Sequence, residues 1–455
     1  MTHVAVFDIG KTNAKLALVD LDTLGEIAVV TRPNKVLPGP PWPHFDLDGH
    51  WGFLLDALGA FHREHGVDAI SVTTHGAAAV LLAADGSLAA PMLDYEHTGP
   101  DEMATAYDEI RPPFSETGSP RLPMGLNLGA QIHWMFATDP ELARRTATIV
   151  TYPQYWGYRL TGVTATDVSS LGCHTDLWNP EARGFSSLVD RLGIAETLAP
   201  ARPSAEVLGT VLPDIALHTG LSTETPVHVG IHDSNASLLP YVLGRKAPFS
   251  VVSTGTWVIS MAVGGDPVAL DPNRDTLVNV NALGDPVPSA RFMGGREWAL
   301  AMQGAQVDPG EAAMAEVLDS GIMLLPALVS ESGPFQGREA HWVGAEPATD
   351  SPQRGAAMGF YLALVVAECL NLIGHRGPVV VEGPFARNRA FIAMLAVASG
   401  SPIETAASTT GTSEGAALLA ATGKVLSPNT KAHDDASLAD RLTLYRKAWK
   451  AALEA

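Results

Sequence analysis

Val4-Ala5-Val6-Phe7, then Asp8-Ile9-Gly10-Lys11-Thr12-Asn13, then Ala14-Lys15-Leu16-Ala17-Leu18-Val19 forms an apolar run, a polar turn holding one glycine, and a second apolar run. That order predicts strand, turn, strand. Asp20 to Gly25 supplies another turn, and Glu26-Ile27-Ala28-Val29-Val30 a third strand. Ala, Lys and Leu also favour helix, so the segment from Ala14 has a helical alternative. The turn signals on both sides favour the meander. Gly10-Lys11-Thr12 invites a P-loop reading, which fails. That motif needs another glycine where Ala5 stands, and a helix directly after the turn.

A related pattern recurs at Phe249-Ser250-Val251-Val252, Ser253-Thr254-Gly255-Thr256 and Trp257-Val258-Ile259-Ser260-Met261. One such turn is an ordinary hairpin loop. Two, each opening one half of the chain, predict a duplicated βββ-type domain. Glycine lets backbone approach a ligand closely, and hydroxyls with successive N–H groups cradle phosphate oxygens. The pair therefore reads as a phosphate clamp.

The 455 residues are long for one domain, and 46% of them are hydrophobic, so two lobes are expected, 1–245 and 246–455. Strands are expected at Val67 to Thr74, Ile149 to Tyr152, Pro226 to Ile231 and Pro378 to Val381, and a hairpin over Ala78 to Ala89. Helices are expected after Ser234, through Met394, over Gly411 to Ala421, and from Ser437 as N-cap to Leu453. A net charge of −20 argues against a nucleic acid partner, because neutralising phosphates needs a basic face. Two cysteines, Cys173 and Cys369, are too few for a disulfide framework and suit a reducing cytoplasm. The start lacks a basic segment followed by an apolar one, so no secretory signal is expected. The greasy stretch Phe360 to Leu370 carries Glu368 and is too short for a membrane span. No HExxH, CxxC or Gly-x-Ser-x-Gly pattern supports a metalloenzyme or a hydrolase triad.

From Val4 to about Gly423 the chain resembles the FGGY family of carbohydrate kinases, in the actin/hexokinase-like ATPase superfamily. Asp8 to Lys15 resembles its first phosphate motif, and Gly230-Ile231-His232-Asp233 the segment bearing the catalytic aspartate. Ser253 to Thr256 resembles the second phosphate motif, and Gly294-Gly295 the family's glycine pair near the nucleotide. Val381 to Leu395 resembles the adenosine strand and helix, and Thr412 to Ala420 the closing Gly-Ala-Ala helix. Two departures stand out. Lys11 follows the first-motif glycine where Thr or Ala is usual, and Glu382-Gly383-Pro384-Phe385 replaces a glycine run. The resemblance implies an α/β fold of two actin-like (ribonuclease H-like) ATPase domains, sugar-binding then nucleotide-binding, with a nucleotide cleft between them.

It also implies roles. Asp233 is the candidate general base for a sugar hydroxyl, with helix N-cap as its alternative. Asp8 is the Mg²⁺ candidate, with a turn aspartate as its alternative. For ATP the candidates are Gly10, Lys11, Thr12, Asn13, Lys15, Ser253, Thr254, Gly255, Thr256, Gly295, Gly383 and Asn388. For the sugar they are His75, Gly76, Asp94, Glu96, Gln154, Trp156, His232 and Asp233, each with ordinary packing as its alternative. The resemblance leans toward ketoses and deoxyketoses such as L-rhamnulose, L-fuculose, L-ribulose or xylulose. An actin-like ATP hydrolase and a non-catalytic sugar or nucleotide sensor are the alternatives. Assembly is not legible, a homodimer being one candidate.

Overall fold

A computed structural model of the chain describes residues 2–406, 411–421, 429–433 and 438–454. The strands that position the site are, in the first half, β1 (His3–Ile9), β2 (Asn13–Asp20), β3 (Gly25–Pro33), β4 (Ala69–Thr74), β5 (Val207–Thr210), β6 (Pro226–His228) and β7 (Ile231–His232). They continue with β8 (Phe249–Thr254), β9 (Val258–Val263), β10 (Thr276–Val280), β11 (Pro286–Phe292), β12 (Val379–Glu382), β13 (Ile403–Ala406) and β14 (Thr430–His433). The helices used below are α1 (Leu47–His65), α2 (Tyr152–Thr161), α3 (Asp233–Gly244), α4 (Gly294–Met302), α5 (Pro352–Leu372), α6 (Arg389–Ser399), α7 (Gly411–Ala417) and α8 (Ala439–Glu454). Ser437, expected to cap the last helix, lies outside the described residues.

Two compact units result. One comprises Met1–Gly244 with Val278–Pro286 and Thr410–Ser427; the other comprises Arg245–Leu277, Val287–Thr409 and Pro428–Ala455. In the first, the sheet runs β5-β6-β4-β1-β2-β3, with β7 also on β4. The meander forms as the turns predict: β1 to β2 is antiparallel with Asp8 opposite Lys15, and β2 to β3 is antiparallel with Leu16 opposite Val30. β1 and β2 are almost wholly buried, whereas β3 alternates, as an edge strand with one wet face should. In the second unit the sheet runs β10-β11-β9-β8-β12-β13-β14, and β8 to β9 is again the antiparallel hairpin around the glycine turn.

Parallel pairing positions the chemistry. β1 to β4 sets Asp8 beside Thr73 and Ile9 beside Thr74. β7 to β4 sets Ile231 beside Thr73 and His232 beside Thr74. Asp8, His75 and Asp233 therefore leave the sheet at one carboxyl edge, the edge at which open α/β sheets hold ligands.

The hairpin expected over Ala78 to Ala89 forms, but it is short: around the Asp85-Gly86 turn Ala83 N–H donates to Ser87 O and Ala89 N–H to Leu81 O (2.8 Å each), with a Leu82–Leu88 bridge. The longer ladder of Ala79–Leu82 is antiparallel with Thr148–Thr151. All four residues of that strand are buried, so their backbone groups need hydrogen-bond partners on both sides. By length and composition, α5 is apolar enough to cross a membrane, yet 78% of its apolar window is buried inside the protein. It forms the spine of the second unit's core, packed with Phe391, Tyr445 and Trp449.

Candidate active site

The first glycine turn is braced from behind. Gly10 N–H donates to Asn13 O (2.9 Å), Asn34 N–H to Thr12 O (2.8 Å), and the Asn34 amide to Gly10 O (2.8 Å). Thr12 and Asn13 stay exposed at its tip. Below the turn, the Asp8 carboxylate takes a hydrogen bond from Ser413 on α7 (2.9 Å) and an ion pair from Lys15 Nζ (3.0 Å), both on Oδ2. Burial raises the Asp8 pKa, Lys15 and Ser413 oppose that, and the Asp233 charge adds to the rise. Lys15 also pairs with Glu26 (3.1 Å); burial lowers its pKa, but the two carboxylates reverse this and leave it raised. Lys15 is thus already neutralised where a free cation for phosphate was expected.

Asp233 opens α3 with its side chain 34% exposed. Its Oδ1 accepts from Ser234 N–H (2.6 Å) and Ser234 Oγ (3.2 Å), and pairs with His232 Nε2 (3.2 Å). A capping aspartate would instead serve the N–H groups two or three residues on. All three contacts fall on Oδ1, which leaves Oδ2 without a partner among the described residues. Burial lowers the His232 pKa, but Cys173 and Asp233 outweigh it and lift it to about 9. A Cβ on Gly76 would come within 2.6 Å of His232 Nε2, so the glycine lets the two strand ends close up.

His75 is 6% exposed and ringed by Phe45 (5.2 Å between centroids), Tyr95 (5.2 Å) and Tyr152 (5.0 Å). Burial drives its pKa down to about 4. The neutral ring pairs Nδ1 with Gly76 O (2.9 Å) and leaves Nε2 buried without a partner. An orphaned buried acceptor of this kind asks for a ligand donor.

Lys11 does not stay at the turn. Its ammonium bonds Asp94 and pairs with Glu96 (3.1 Å), lying 5.1 Å from the Phe45 ring and 4.7 Å from Tyr95. Gln154 and Trp156 are both 0% exposed. The Gln154 amide is taken up by Thr151 and by Val229 O (2.9 Å), and Trp156 packs among Trp51, Tyr152 and Tyr155. Both lie within the core of α2, and the Trp156 Nε1–H is buried there without a hydrogen-bond partner among the described residues. Sequence reading missed Ser413, Glu26, Phe45 and Tyr95. Ser413 sat inside the flagged Gly-Ala-Ala helix, but the others had no local signal.

In the second unit, Ser253 and Glu382 are register neighbours on the parallel strands β8 and β12. The Thr254 hydroxyl donates to Glu382 O and accepts Phe385 N–H (3.2 Å), so it ties the two strand ends together. Gly383 sits at φ 78°, and a Cβ there would stand only 2.0 Å from Thr254 O. Gly295, at the start of α4, lies so close to Gly255 that a Cβ would stand 2.1 Å from its carbonyl. Gly255 and Thr256 are exposed between them. Asn388 caps α6, accepting Phe391 N–H (3.0 Å). Among the described residues, no group of three or more His, Cys, Asp or Glu could hold a metal ion alone. A Mg²⁺ ion that arrives with phosphates needs only one or two carboxylates, and Asp8 fits that limited demand.

Two sheets sharing a glycine-turn hairpin and a parallel flanking strand define the two-domain, actin-like (ribonuclease H-like) kinase fold. The chain belongs to the FGGY family of carbohydrate kinases, whose N-terminal domain matches residues 3–240 and whose C-terminal domain matches 246–428. A crystal structure of a carbohydrate kinase from Novosphingobium aromaticivorans superposes with a TM-score of 0.91 at 37% identity, covering 100% of this chain and 99% of that one. An L-fuculokinase of Salmonella typhi is 26% identical over 270 residues, 58% of this chain and 57% of the fuculokinase. A ligand-bound xylulose kinase from Lactobacillus acidophilus shares the fold at a TM-score of 0.83, with 16% identity over 100% of this chain and 97% of that one.

Proposed function

We propose that the protein phosphorylates a hydroxyl of a ketose or deoxyketose with ATP, using Asp233 as general base. The sugar oxygen attacks the γ-phosphorus, its proton passes to Asp233 Oδ2, and the bond to the β-phosphate bridging oxygen breaks to release ADP. Residues 1–245 take the sugar, with His75 Nε2 accepting one of its hydroxyls. Residues 246–455 take the nucleotide on the Ser253 to Thr256 turn, with Gly295 and Gly383 letting neighbouring backbone close in on that turn. Asp8 would hold the Mg²⁺ that comes with ATP, which supplies charge for the transferring phosphoryl group. The fuculokinase and xylulose kinase relatives support a ketose. The cysteine content supports the cytoplasm.

The observation that carries this reading is the meeting of Asp8 and Asp233 at one carboxyl edge, the latter with an unpartnered oxygen. ADP release from Mg-ATP is measured against ketoses, aldoses and polyols. A sugar should raise turnover well above the sugar-free rate. ATP binding without turnover on any of them would instead support a sensor, and fast sugar-free turnover an ATP hydrolase.

A further inference from the structure

Lys11 departs from the family's first motif, and the structure turns its side chain away from the glycine turn toward a segment 83 residues on. Its ammonium has three donors; Asp94 and Glu96 engage it, and it sits against the rings of Phe45 and Tyr95. Those same two rings wall His75, whose Nε2 is buried and unpartnered. Lys11, Asp94, Glu96 and His75 thus form one polar group between two aromatic walls. Gly76 joins it to His232 and so to Asp233.

We infer that Lys11, braced by Asp94 and Glu96, is a specificity-determining residue on the sugar side of the site, and that the group it forms selects neutral polyhydroxy substrates over sugar acids. This rests on the kinase reading above. The chemistry is complementary to a run of hydroxyls: the ammonium donates to a hydroxyl oxygen, while the carboxylates and His75 Nε2 accept O–H. A hydroxyl satisfies both kinds of partner. A sugar carboxylate satisfies only the ammonium, and it would enter beside Asp94, Glu96 and Asp233, three carboxylates against Lys11 and the His232 ring already paired with Asp233. Like charges brought together in a partly desolvated site are strongly disfavoured.

The test combines calorimetric binding with steady-state kinetics, using L-fuculose, L-rhamnulose, L-ribulose and D-xylulose as neutral probes and D-gluconate as the acid. Wild type should bind at least one ketose and not D-gluconate. Lys11→Met should weaken ketose binding and raise the sugar KM by ~10- to 100-fold, the scale of one charged hydrogen bond, while the KM for ATP stays within about twofold. The double variant D94N/E96Q should shift the ratio of D-gluconate to ketose affinity toward the acid by at least ~10-fold. Circular dichroism confirms that each variant is folded, and Lys11→Gln serves if Lys11→Met is not. A raised ATP KM with unchanged sugar binding would overturn the inference and return Lys11 to the phosphates. So would D-gluconate binding by wild type, or the binding of no ketose. Failure of the kinase reading looks different: ketoses bind as expected but none stimulates ADP release.

Discussion

His50 shows how one buried side chain supports the phosphate turn from a distance. Its Nδ1 accepts from the Arg32 guanidinium (2.9 Å) and its Nε2–H donates to Asn34 Oδ1 (2.7 Å), while Asn34 holds Gly10 O. Arg32 also pairs with Asp46 (2.6 Å), the cap of α1. This arrangement needs a neutral ring; burial, then the Arg32 charge, pushes the pKa from 6.5 to about 4. The sign follows. Between those values the unfolded chain takes up a proton that the folded one refuses, so stability falls as pH drops from about 6.5 toward 4 and is untouched by this group above that window. Urea unfolding of His50→Gln should therefore show a shallower loss across that window than wild type. Parallel slopes would remove His50 from the explanation.

At the scale of elements, α7 on α3 is the contact that holds the site's frame. A Cβ on Gly415 would stand 1.8 Å from Ala236 O, so the helices meet backbone to backbone. The same helix delivers Ser413 to Asp8. Gly415→Ala should cost ~1–3 kcal/mol by forcing the helices apart. It should also lower kcat through the displaced Ser413, read by chemical denaturation and ADP release; an unchanged midpoint would contradict the close packing. Much at this scale was legible beforehand. The hairpin and the glycine-opened α7 follow from local alternation and turn residues, whereas the strand expected over Pro226 to Ile231 forms as two short ones, β6 and β7, parted at Gly230 with φ 95°. What was not legible depended on long-range partners. The strand Ala79–Leu82 takes Thr148–Thr151 as a partner in addition to its own turn. Gln154 and Trp156 read as polar or aromatic enough for a sugar, and nothing local says that both are fully buried. Lys11 is long enough to leave the turn, and nothing local says that Asp94 and Glu96 await it.

For the molecule as a whole, two duplicated sheets each bring a glycine turn to a carboxyl edge, and each has its own core. The only two cysteines, Cys173 and Cys369, are free and buried. Thermal unfolding should then be the same with and without reductant, and a thiol reagent should label neither cysteine until the protein unfolds. Rapid labelling of the native protein would contradict their burial. The most direct measurement compares Asp233→Asn with wild type, at saturating Mg-ATP and the best ketose from the panel. If Asp233 is the base, ADP release should fall by ~10²- to 10⁴-fold, with sugar affinity and melting temperature nearly unchanged. Sugar-stimulated turnover within a few-fold of wild type would contradict that role and place the proton acceptor elsewhere.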